Sequence, residues 1–159
     1  MTRLCRAALA AGLAALAGCG LQAPPSGPGL RLDGQRLRHP DGLEVTLPAG
    51  YRAEQTPSGF RLAPLHDGGR EPIEIFVDWA PTPVPASVDR RFDLPGGRVL
   101  HYAVRSEPAV GSGGAPYTLH ACEAVRAGSV CVRQTRQSST GEPAFEAWDV
   151  APGVRFSPP

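Results

Sequence analysis

The sequence predicts a mainly β domain of the α+β class: a single antiparallel sheet built from hairpins, with one short C-terminal helix packed on it. Three observations carry that expectation. Short apolar runs with period-two alternation recur along the chain, each bounded by turn residues. Glycine and proline number 19 and 18 while aromatics make up only 6% of the chain, a composition that suits turns and strands better than a helical bundle. One stretch alone, Pro143–Val150, has helical spacing.

The chain opens with Arg3 and Arg6, continues with an uncharged apolar run from Leu9 to Ala17, and reaches Gly18-Cys19. That order is the layout of a secretory signal segment, and the run is too short to span a bilayer. Leu16-Ala17-Gly18-Cys19 resembles the lipobox of bacterial lipoproteins. The resemblance implies that residues 1–18 are removed, Cys5 with them, that the Cys19 thiol receives a diacylglycerol, and that the new amine is acylated. Each buried methylene contributes about 0.8 kcal/mol, so the several chains of a lipoprotein anchor it stably in a membrane. Gly20 rather than Asp follows the cysteine, which by resemblance to Gram-negative lipoproteins favours the outer over the inner membrane. The expected location is the periplasmic side of the envelope.

Gly20–Gly29 reads GLQAPPSGPG, has no periodicity, and is expected to be a tether. The division is therefore 1–18 signal peptide, 19–29 lipidated tether and 30–156 a single β-rich domain. About 140 mature residues suffice for one hydrophobic core. All 16 basic residues are arginine, and loss of Arg3 and Arg6 leaves them one short of the 15 acidic residues. That neutral, scattered charge gives no support for nucleic-acid binding.

Within the domain, QRLRH and LEVTLP flank Pro40-Asp41-Gly42 as a first hairpin. YRAEQ and FRLAP flank TPSG as a second, and HDGG at His66–Gly69 is a turn. PIEIFVDW is the clearest strand, with Ile73, Ile75, Val77 and Trp79 on one face and Glu74, Phe76 and Asp78 on the other. The three prolines of APTPVPAS, Ala80–Ser87, break the pattern into an extended connection. RRFDL and RVLHYAV flank PGG as a third hairpin; EPAVGSGGAP is a long loop; YTLHACEAV and VCVRQTRQS form the last hairpin. In Pro143–Val150, Phe145 and Trp148 share one helix face.

Cys122 and Cys131 flank a short turn, and an antiparallel register with Val125–Gly128 as the loop sets them opposite each other as a disulfide. Such a closed loop stabilises by roughly 2–3 kcal/mol. The register places Tyr117, Leu119, Ala121, Val130 and Val132 on the core side, and Thr118, His120, Cys122 and Arg133 on a polar outer side. The nine-residue offset fits neither a redox C-x-x-C nor common zinc spacing. None of His39, His66, His101 and His120 has metal-like spacing, and no metal or cofactor is expected. Ser58 and Ser112 lack the strand–nucleophile–helix setting of G-x-S-x-G. No catalytic residue is assigned.

Several phrases together, LRHPDGLEVTLPAGYRAEQTPSGFRL, IEIFVDW, LPGGRVLHYAV, GSGG and TGEPAFEAWDV, resemble periplasmic immunity lipoproteins of type VI secretion systems, of the kind that neutralise a muramidase effector. The opening half is also similar to PsbP/Mog1-like domains, in which a strand ends in L-P-x-G-[YWF], here Leu47–Tyr51. The resemblance implies a secreted protein toxin as partner and a non-enzymatic, occluding mode of action. The polar loops are the expected contacts: Gly111, Ser112, Gly113 and Gly114, with Ser138, Ser139, Thr140 and Glu142. The alternative is an envelope structural or assembly lipoprotein without a toxin. An enzyme would depend on Glu74, Asp78 or a histidine.

Overall fold

The computed structural model describes residue 25 and residues 27–66, 73–109 and 111–159. The signal peptide, Cys19, most of the tether and Asp67–Gly69 of the expected turn lie outside the described residues. Among the described residues no helix is long and apolar enough to cross a membrane.

The expected hairpins form in order. β1 (Arg36–Arg38) and β2 (Leu43–Thr46) turn at Pro40-Asp41-Gly42, where Gly42 takes a positive φ of 91°. His39 locks this turn: its ring Nε2–H donates to Thr56 O at 3.1 Å and Nδ1 accepts from Asp41 N–H at 3.3 Å. β3 (Tyr51–Thr56) and β4 (Gly59–Pro64) pair from Tyr51↔Pro64 to Thr56↔Gly59, so Pro57-Ser58 is the whole loop. β5 spans Ile75–Ala80, β6 Arg90–Leu94 and β7 Arg98–Ser106. β8 (Ala115–Val125) and β9 (Gly128–Ser138) are 11 residues each.

Two sheets result, which corrects the expectation of one. Seven strands run β3-β4-β5-β9-β8-β7-β6, every paired neighbour antiparallel. A separate sheet of three strands has the order β1-β2-β10, where β10 is Val154–Phe156. Nothing in the alternation marks β10 as a strand. It forms because the chain turns back and sets Val154 opposite Val45 and Phe156 opposite Leu43. The physical reason for the second layer is that one sheet cannot cover its own apolar face. Leu43 and Val45 are fully buried, and Phe156 stacks on Trp79 of β5 at 5.5 Å.

The helix is also shorter than Pro143–Val150. Only Ala147–Val150 (α1) is α-helical, followed by a 3₁₀ turn at Ala151–Gly153. Its expected apolar face holds: Phe145 and Trp148 are buried, and Trp148 meets Tyr102 edge-on at 4.9 Å and Phe92 at 6.1 Å. The core thus lies between the inner face of the large sheet (Leu62, Ile75, Val77, Leu100, Leu119, Val132) and the layer of small sheet and α1.

Candidate partner-binding site

The β8–β9 hairpin organises the molecule. Val125↔Gly128 closes it around Arg126-Ala127, and Cys122↔Cys131 are bonded three pairs along, as the register requires. Leu119, Ala121, Val130 and Val132 are buried on the inner side as expected, and Tyr117 is partly buried. On the outer side one expectation changes: Cys122 is fully buried rather than part of an open polar surface. The connection from β5 to β6 must pass over β9, β8 and β7, and its proline-rich stretch crosses the outer face there. Val88 is buried, Arg105 Nη2–H donates to Ser87 O at 3.2 Å, and Pro81, Pro83 and Pro85 line one hollow with His101 and Ala124. The prolines recognised as strand breakers therefore act as a cover.

The opposite end of the hairpin is open. Antiparallel pairing of Ala115 with Ser138 brings the two expected contact loops together, although 24 residues or more separate them in the chain. Gly111–Gly113 form an exposed 3₁₀ turn that includes Ser112. A side chain at Gly114, whose φ is +87°, would strike the Ser138 carbonyl at 2.6 Å, and one at Gly113 would strike Gln137 Oε1 at 2.6 Å. Glycine is what allows this close approach. Ser139, Thr140 and Glu142 are exposed, and Thr140 N–H donates to Ser138 Oγ at 3.3 Å.

Beside these loops the outer face carries an open groove of about 940 Å³, lined by Glu74, Phe76, Thr118, Arg133, Thr135 and Gln137. Arg133 lies over the Phe76 ring at 5.2 Å, and Thr118 and Thr135 hydrogen-bond across the strands at 2.9 Å. The carboxylates noted in the sequence are individually occupied. Glu74 pairs with Arg61 at 3.3 Å, and Asp78 accepts from Ser58 Oγ–H at 2.9 Å.

A buried polar knot fixes the loop from below. Gln134 is fully buried on the inner side of β9; its Nε2–H donates to Glu146 Oε2 at 2.6 Å and its Oε1 accepts from Ala147 N–H at 3.0 Å. Arg136 Nη1 donates to Glu146 Oε1 at 2.7 Å and to Ala144 O at 3.0 Å. Residues 139–143 are thus held at both ends, by β9 and by the knot. Burial, with the Glu146 charge second, pushes the nearby Tyr51 phenol up to about 12.

A family model, the type six secretion immunity 3 domain, matches residues 44–155. The chain belongs to that family. The match runs from β2 into β10 and includes both loops, the groove and the bonded cysteines. The Immune protein Tsi3 of Pseudomonas aeruginosa is 34% identical over 124 residues, covering 76% of this chain and 81% of that protein. In this family member the sequence reading missed one grouping. His120 lies with Cys122 and Cys131, Nε2 3.3 Å from Cys122 Sγ, because residues two apart in a strand share a face. The H-x-C spacing of β8, together with the expected pairing of Cys122 with Cys131, was the available signal.

Proposed function

We propose that the protein is an immunity protein of a type VI secretion system that binds a secreted, cell-wall-degrading toxin and occludes its active-site groove without catalysis. In this reading acylated Cys19 holds it on the periplasmic side of the envelope, at the outer membrane. The observation that carries the reading is the family match across residues 44–155, which includes both polar loops. Their juxtaposition on a disulfide-bonded hairpin supports it, because a preorganised loop loses less conformational entropy on binding.

The test is capture of the toxin encoded beside this gene, followed by binding measurements with Ser112→Arg and Ser139→Arg, both at exposed positions. Each substitution is expected to weaken binding by tenfold or more, in the range of about 1.4 kcal/mol upward, with an unchanged melting temperature. Undiminished affinity in both variants moves the contact away from the loops. A chain that neither captures the toxin nor protects cells producing it in the periplasm is not an immunity protein.

A further inference from the structure

His120, Cys122 and Cys131 place one imidazole nitrogen and two sulfurs within 4.8 Å of one another on the outer face of the large sheet. Direct cross-strand pairing extends the row. His101 of β7 stands opposite Cys122, and Asp78 of β5 stands opposite Cys131, so four neighbouring strands present His101, Cys122, Cys131 and Asp78 side by side. We propose that, when its disulfide is reduced, this cluster is a binding site for a soft or borderline cation such as Zn²⁺, with Cys122 and Cys131 as thiolate ligands and His120 as the imidazole ligand.

Two thiolates and an imidazole are the donor set such cations select, in preference to the oxygen-binding Mg²⁺ and Ca²⁺. A tetrahedral ion with Zn–S bonds of about 2.3 Å holds its sulfurs roughly 3.8 Å apart. In the present structure the two sulfurs are bonded to each other, and they reach that separation only once the disulfide is cleaved. Parting of the sulfurs on cleavage of their bond opens the space. Cys122 is fully buried and the other two donors are half-buried, so the sheet shields the ion while leaving one position for water or for His101.

The chemistry balances with a dithiol as reductant. The dithiol gives two electrons and two protons to the disulfide, becomes a cyclic disulfide itself, and leaves Cys122 and Cys131 as thiols. Cation binding then expels the two thiol protons. Disulfide and cation are therefore mutually exclusive occupants.

The test reduces the folded chain with dithiothreitol, removes the reductant without air, and titrates with Co²⁺ and then Zn²⁺. The expected result is one equivalent of Co²⁺ with a thiolate-to-metal charge-transfer band, displaced by Zn²⁺ and absent from the oxidised protein. His120→Ala should weaken binding by at least the roughly tenfold that loss of a ligand's supporting partner costs. If reduction alone unfolds the sheet, the expected result is recovery of its far-ultraviolet circular dichroism on addition of Zn²⁺. No charge-transfer band, equal affinity in His120→Ala, equal affinity in Cys122→Ser, or a reduced, unfolded chain that Zn²⁺ does not restore would each overturn the proposal.

Discussion

Gly128 shows how much one residue decides here. It begins β9 with a φ of +143°, and a Cβ there would lie 2.0 Å from the Ala80 carbonyl oxygen. The obstacle is backbone, which no rotamer change relieves. Gly128→Ala is therefore expected to cost roughly 1–3 kcal/mol, read as a lower urea midpoint. The residue was visible in the sequence as a turn glycine. Its clash with Ala80 was not, because that contact depends on β5 pairing with β9. Tyr51 gives the pH prediction. Its folded phenol titrates near 12 rather than 10, so the folded state favours the neutral form. This contribution is complete below pH 10 and is lost as the pH rises from 10 towards 12. Denaturation midpoints should fall over that window, and Tyr51→Phe should fall less.

Among the elements, α1 is four residues long and could not persist alone. Tertiary contacts hold it: Trp148 against Tyr102, and Ala147 N–H on Gln134. Gln134→Leu keeps the volume but leaves that N–H and the Glu146 carboxylate short of a partner. It should cost about 1–3 kcal/mol by thermal denaturation. The inward face of Gln134 was implicit in the β8–β9 register, which sets it opposite Leu119 on the core side; its partners Glu146 and Ala147 were not. The β8–β9 hairpin tells the opposite story. Its alternation and cysteine spacing already contained its register, and the observed pairing is the expected one. Reducing its disulfide should lower stability by roughly 2–3 kcal/mol. That is less than the 5–15 kcal/mol usual for a domain of about this size, so the reduced chain is expected to stay folded.

At the scale of the whole molecule, the proposed anchor at Cys19 precedes in sequence the domain matched by the family. Cys19→Ser is expected to shift the protein from the membrane to the soluble fraction, with melting temperature and disulfide unchanged. Fractionation and calorimetry check both parts, and a large loss of stability in that variant would contradict the tether reading. Local pattern was enough to determine the mainly β class, the hairpins and the Cys122–Cys131 pair. Each of these rests on residues near one another in the chain, where period-two alternation and turn chemistry act directly. Tertiary structure alone decided that β10 joins β2 in a second sheet, that the proline stretch lies by His101 and Ala124, and that Gly114 lies against Ser138. These are contacts between distant segments, and they follow from the need to cover an apolar sheet face and to carry a chain across it, which no local run of residues encodes.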